Sequence, residues 1–185
     1  MEWNQRYSSE PANWIGPTRA LLWNNENLLP TGGLVLEAAM GMGNNMPFLL
    51  EKGYRILGID RSEVAVKYVQ NQFPQVWTVL ADLSNFRLPA RAFDLICNFY
   101  YLERPLWAQY EQALKPGGIL MVETLTEQIL EVKPEIPESR LLKPGELQGF
   151  FPELEHLEYS EGWIDSDHGS RKAVASLIAR KPDGT

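Results

Sequence analysis

Glu37, Gly41 and Gly43 stand in the run Leu36-Glu37-Ala38-Ala39-Met40-Gly41-Met42-Gly43-Asn44, and two further acids follow at Asp60 and Asp82. Each acid closes a short apolar run: Leu34-Val35-Leu36 before Glu37, Ile56-Leu57-Gly58-Ile59 before Asp60, and Val79-Leu80-Ala81 before Asp82. Glycines at a strand-to-helix turn let main-chain N–H groups come close to a ligand. A carboxylate ending the second strand, 23 residues after Glu37, is placed to accept hydrogen bonds from two ribose hydroxyls. One just past the third strand is placed to receive an adenine amino group. Alone, a Gly-x-Gly turn is a tight loop and an acid at a strand end is a solvated cap. In this order, within one strand–helix–strand frame, they read as a nucleoside-cofactor site. The residue three past Gly43 is Met46, so the Gly-x-Gly-x-x-Gly of nicotinamide sites is not met.

The elements that must position these residues are short and apolar. Besides the three runs above, Leu95-Ile96-Cys97 and Ile119-Leu120-Met121-Val122 read as strands buried on both faces. Ser62 is an N-cap for a helix carrying Val64, Tyr68 and Val69, and Pro105 starts another carrying Leu106, Tyr110 and Ala113. Lys115-Pro116-Gly117-Gly118 links that helix to the fifth strand. Strand–helix alternation predicts an α/β fold, a doubly wound parallel sheet with helices on both faces. A short helix is expected near Pro17–Trp23, and a proline-rich loop over 133–152 with a helix starting at Pro144. Two last strands are expected at Leu154–Tyr159 and Ala173–Arg180. The connection from Glu161 to Lys172 is too short for a crossover helix, so these two are antiparallel neighbours.

The 185 residues suit one domain: an N-terminal helical cover at 1–30, a cofactor-binding core at 31–124, and a substrate-side region at 125–185. With 44% hydrophobic and 22% charged residues the chain has the composition of a folded globule. A net charge of −7 argues against nucleic-acid partners and gives no polybasic signal for membranes. The single cysteine, Cys97, excludes a disulfide framework and a cysteine-clustered zinc site, and reads as inert core. His156 reads as structural, and Asp165, Asp167 and His168 as a solvated turn, so no metal is expected. No signal-peptide pattern opens the chain and no apolar run is long enough to span a membrane, so the expectation is a cytoplasmic monomer or homodimer.

The spacing acidic-x-Ala-x-Gly-x-Gly, with Lys115-Pro116-Gly117-Gly118 further on, resembles the class I S-adenosylmethionine-dependent methyltransferases. A closer resemblance is to the small methyltransferases of the tellurite-resistance type. It rests on Trp3, Arg6-Tyr7, Glu37 to Asn45, Asn98-Phe99-Tyr100-Tyr101-Leu102-Glu103-Arg104, Glu123-Thr124 and Leu141 to Leu147. Family members often carry Ala at the first glycine position, as Ala39 does, and many carry Arg where Asn44 stands. The resemblance implies a Rossmann-like, seven-stranded, mostly parallel sheet with an antiparallel last strand. It implies S-adenosylmethionine as cofactor, held by Glu37, Ala39, Gly41, Gly43, Asp60, Arg61, Asp82, Leu83 and Asn98. On the acceptor side stand Trp3, Tyr7, Trp14, Tyr100, Tyr101, Arg104 and Arg140, with Tyr7, Tyr100 and Tyr101 as candidates for a chemical role. The implied reaction is in-line methyl transfer to a small molecule, including soft sulfur, selenium or tellurium nucleophiles that need no base. A cofactor-binding protein without catalysis, a nucleotide-dependent oxidoreductase and a macromolecule methyltransferase are the alternatives. The N-terminal segment and the loop before Pro144, with Arg140 reaching inward, are expected to close over the acceptor.

Overall fold

Among the described residues, seven strands form one sheet: β1 Leu34–Ala38, β2 Arg55–Asp60, β3 Trp77–Leu80, β4 Phe93–Phe99, β5 Leu114–Leu125, β6 Glu155–Asp165 and β7 Arg171–Arg180, in the spatial order β3-β2-β1-β4-β5-β7-β6. The computed structural model describes residues 2–9, 14–165 and 171–184. β1 to β5 pair in parallel, and β7 lies antiparallel between β5 and β6. This is the Rossmann-like sheet expected from the sequence. The hairpin arms are longer than the apolar patterns implied, reaching Asp165 and resuming at Arg171; its tip, with Asp167 and His168, lies outside the described residues.

Among the described residues, seven short helices flank the sheet: α1 Glu2–Ser9, α2 Ala20–Asn24, α3 Met46–Glu51, α4 Glu63–Gln72, α5 Arg104–Trp107, α6 Tyr110–Ala113 and α7 Glu146–Phe150. Alternate strand residues serve two cores. Leu36, Ile96, Leu120 and Leu177 pack beneath α5 to α7 with Trp107, Tyr110 and Phe151. Val35, Leu95, Met121 and Ile178 pack beneath α2 to α4 with Leu22, Met46, Leu49 and Val69. This double cover is why the strands read as unbroken apolar runs.

Local chemistry explains where elements start and stop. Ser62 caps α4, its Oγ accepting from the Ala65 N–H at 3.3 Å. The helix expected from Pro105 through Ala113 is broken into α5 and α6. At the break, the Gln109 side chain accepts from Leu88 N–H at 3.0 Å and donates to the Phe86 carbonyl at 3.2 Å, tying down the strand-like segment before β4. α7 begins at Glu146 rather than at Pro144, because Gly145 turns the chain through the left-handed region (φ 71°).

The proline-rich loop does not close over the cofactor end of the sheet. Ile129 and Leu141 are buried against Ala173 of β7, and Thr126 bridges to Leu142. The apolar residues between the prolines hold this loop on the sheet.

Candidate functional site

An open cavity lies at the carboxyl ends of β1, β2 and β4. β1 sits between β2 and β4 in the sheet, so the chain order reverses across the cavity, at the switch point where open α/β sheets bind ligands. Its floor is the turn after β1. Met40 N–H donates to the Ile59 carbonyl at 3.0 Å, extending the β1–β2 pairing one step past the strand. The chain then turns back, with Gly41 at φ 54° and Gly43 at φ 75°. A Cβ on Gly41 would lie 3.0 Å from the Tyr7 hydroxyl, inside the cavity wall. One on Gly43 would lie 3.0 Å from both Met46 and Val69, so this glycine serves packing beneath the turn and does not line the cavity. Ala39 also has a positive φ, 55°, which costs an alanine about 1–2 kcal/mol.

Asp60 locks the turn to β2. Its Oδ2 accepts from Gly41 N–H and its Oδ1 from Ser62 N–H, both at 2.8 Å. Each oxygen keeps a second lone pair, and the carboxylate lines the cavity. Burial raises its pKa, and the main-chain amides of Ser62, Gly41 and Arg61 pull the other way. Glu37 is buried at the end of β1, with both oxygens 3.2 Å from Asn45 Nδ2. Burial pushes its pKa up to about 7, against hydrogen bonds from Asn45 and Cys97 and the field of Arg19.

The N-terminal segment forms one wall. Trp3, Tyr7 and Trp14 meet with ring centroids 5.4–5.7 Å apart. α1 is fixed to α4 through Asn4, whose Oδ1 accepts from Ser62 Oγ at 2.7 Å. Asn44 holds the next stretch, accepting from Gly16 N–H at 3.1 Å and donating to the Trp14 carbonyl at 3.0 Å. Asn45 accepts from Arg19 N–H at 3.0 Å while its amide nitrogen holds Glu37. The position where the resembled family often has arginine thus serves here to dock the cover. Burial, then the nearby Asp60 charge, raises the Tyr7 pKa.

Phe99, which ends β4, and Tyr100 and Tyr101 after it form the opposite wall. Tyr100 adopts φ 58°, a strained conformation for a bulky residue, and its N–H is held by the Glu123 carbonyl at 2.7 Å. Its hydroxyl donates to Glu123 Oε1 at 2.8 Å, and Ser176 Oγ donates to Glu123 Oε2 at 3.0 Å. The Arg19 guanidinium and Lys172 ammonium lie 4.9 and 4.6 Å from the Tyr100 ring centroid. Burial raises the Tyr101 pKa to about 12, with Glu103 adding to it.

Of the residues singled out from the sequence, Trp3, Tyr7, Trp14, Glu37, Ala39, Gly41, Asp60, Arg61, Leu83, Tyr100 and Tyr101 line this cavity. Gly43, Asp82, Asn98, Arg104 and Arg140 do not. Asp82 is exposed and caps the turn Leu83–Asn85, accepting from Ser84 N–H at 3.0 Å, so Ala81 and Leu83 form that side of the cavity. Asn98 is buried and donates to the Tyr110 hydroxyl at 3.1 Å. Arg104 forms a two-pronged ion pair with Glu146, at 2.5 and 2.9 Å, which ties α5 to α7. Arg140 is exposed on the turn Glu138–Arg140. His156 is held by the Phe151 carbonyl at 3.0 Å, and Cys97 is buried. Among the described residues, no three His, Cys, Asp or Glu side chains gather as a metal site. Arg19, Asn45 and Glu123 were given no role from the sequence. Asn44-Asn45 following the glycine turn was the available signal for one of them; Arg19 and Glu123 are brought in by long-range pairing.

Residues 35–118, which carry the glycine turn, Asp60 and Tyr100, match the methyltransferase domain family. Over 96 residues the chain is 31% identical to a probable S-adenosylmethionine-dependent methyltransferase of Mycolicibacterium smegmatis, covering 49% of this chain and 37% of that protein. Over 129 residues it is 30% identical to an uncharacterized methyltransferase of a Geobacillus strain, covering 63% of this chain and 61% of the relative. The chain therefore spans little more than a third of the first relative's length. In fold it resembles TehB from Haemophilus influenzae, with a TM-score of 0.72, 18% identity, and cover of 97% of this chain and 67% of that one. The resemblance to class I methyltransferases read from the sequence motifs is borne out.

Proposed function

We propose that this chain is an S-adenosylmethionine-dependent methyltransferase acting on a small acceptor. The observation that carries the reading is the Gly41–Asp60 lock: a glycine turn whose amide is held by a cavity-lining carboxylate, at the switch point and within the segment matching the methyltransferase domain. The donor set fits the cofactor. Asp60 has lone pairs for ribose hydroxyls, and Ala81 and Leu83 give an apolar side for the adenine. Glu37, buried with an amide and a thiol as its partners, suits an ammonium group, and Arg19 suits a carboxylate; together they complement an amino-acid tail. When bound, the cofactor supplies a methyl group on a sulfonium, with its leaving group already activated. The protein's task is then alignment and exclusion of water, which Trp3, Tyr7 and Trp14 serve on one side and Tyr100 and Tyr101 on the other.

A macromolecular acceptor is disfavoured by the net charge of −7 and by a cavity walled with aromatic side chains. The deciding experiment has two stages. Calorimetry should show S-adenosylhomocysteine binding to the purified protein, and no binding removes the cofactor assignment. A screen following S-adenosylhomocysteine release should then find an acceptor among thiols, phenols, small acids and selenite-derived anions. A chain that binds the cofactor and methylates none of them is a binding protein of the same fold.

A further inference from the structure

We infer that Tyr100 is the catalytic residue that removes the acceptor's proton, relaying it to Glu123, so that the acceptor class is one that arrives protonated: a thiol, phenol or other hydroxyl. The inference rests on the methyltransferase reading above. It begins with a constraint on one oxygen. The Tyr100 phenol gives its only proton to Glu123 Oε1 at 2.8 Å, so whatever else its oxygen meets must donate to it. Tyr100 lines the cavity, and Glu123 lies behind it, buried on β5. The wall therefore offers a cavity-bound X–H group an acceptor backed by a carboxylate.

Three further observations support this use. The carboxylate is held from its far side by Ser176 Oγ at 3.0 Å, which fixes Oε1 towards the phenol. Tyr100 is kept at φ 58°, and such strained backbone persists where the surroundings over-determine it, often at active sites. Arg19 and Lys172, 4.9 and 4.6 Å from the ring centroid, place positive charge beside the phenol and so favour the moment at which it is between protons. Among the described residues no histidine fills this role, since His156 is engaged by the Phe151 carbonyl at 3.0 Å.

The step balances without another reactant. As the acceptor atom bonds to the methyl carbon, the carbon–sulfur bond breaks and its electron pair stays on sulfur. The acceptor's proton passes to Tyr100 Oη, and the phenol's own proton passes to Glu123 Oε1. When product leaves, Glu123 returns a proton through the same phenol to solvent. Tyr100 touches the reacting atoms; Glu123 acts through it as a positioning residue.

Wild type, Tyr100→Phe and Glu123→Gln are compared after S-adenosylhomocysteine titration. If wild type binds none, the underlying methyltransferase reading fails, and the relay with it. The equilibrium arm measures phenol against anisole, which lacks a proton to donate, on the S-adenosylhomocysteine-loaded proteins. Phenol should bind wild type about 3–10 times more tightly than anisole, and Tyr100→Phe should erase that preference. The turnover arm pairs 2-mercaptoethanol, a thiol at pH 7, with 4-nitrothiophenol, a thiolate at that pH. Both variants should slow the thiol by roughly 10²–10⁴ in kcat, with KM rising by no more than about tenfold, and leave the thiolate nearly unaffected. Equal slowing of both acceptors, unslowed thiol turnover in Tyr100→Phe, no phenol preference, or no methylation of any protonated acceptor by a cofactor-binding wild type each overturns the relay.

Discussion

The two walls of the cavity are built in opposite ways. The side proposed for the cofactor comes mainly from one contiguous stretch, with the turn of residues 38–44 leaning on Asp60 through main-chain amides. The side proposed for the acceptor is assembled from α1, Trp14, the end of β4, and behind them β5 and β7. On the first side the main chain does the holding, so few side chains matter and each matters greatly. On the second, aromatic faces and side-chain hydrogen bonds share the work, and single changes should alter selectivity before binding. Proteins with this division can keep one cofactor while changing acceptors, since the two sets of residues overlap little.

The sharpest way to break the contrast is Asp60→Ala. It removes the anchor of Gly41 N–H and the proposed ribose acceptor together, charge-assisted hydrogen bonds of about 1.5–3 kcal/mol each. S-adenosylhomocysteine affinity should fall by about 100-fold or more in calorimetry; a change under about threefold would show that the main chain alone carries this side.

Glu37 gives the next effect, read against pH. Its native pKa of about 7 lies above its ordinary 4.5, so the folded protein holds a proton that the unfolded chain has released. Stability of the ligand-free protein should therefore fall as pH rises from 4.5 to 7, by up to about 3 kcal/mol from this group. Urea unfolding should show a flatter profile in Glu37→Gln, and in wild type saturated with S-adenosylhomocysteine, whose ammonium would compensate the charge. An identical slope in wild type and variant means that Glu37 is not the group responsible.

Asn44→Ala tests the acceptor side's attachment. It removes the bonds to Gly16 and Trp14, worth about 0.5–1.5 kcal/mol each, and should speed amide hydrogen exchange over 14–18 while leaving β1 and β2 protected. The smallest effect belongs to Ala39→Gly. Relief of the positive φ outweighs the entropy lost by glycine, so the melting temperature should rise slightly, by less than about 1 kcal/mol of stability. A drop there would mean that the alanine methyl contributes contact that the turn needs.

The same contrast explains what the sequence disclosed. The central strands β1, β4 and β5 were legible because they are buried on both faces, and the turn because its glycines and acids follow one another within a single frame. Asp82 shows the limit of such reading: a strand-end acid has two uses, and here the free main-chain N–H of Ser84 claims it. Arg104 likewise suits an anionic ligand by type, yet Glu146 lies 42 residues on and within 2.5 Å. The Tyr100–Glu123 bond was out of reach because it depends on the register of β4 against β5, where Phe99 stands opposite Glu123. No local pattern encodes that pairing.

The bond from Ser62 to Asn4 joins residues 58 positions apart. A ribosome adds about 5–20 residues each second, so α1 leaves it several seconds before α4 exists to receive it. During that interval Trp3, Tyr7 and Trp14 have no α4 to settle on, and the nascent chain carries an aromatic tract with its landing place still unmade. The cover of the cavity is thus made before its seat and can settle only once α4 has emerged.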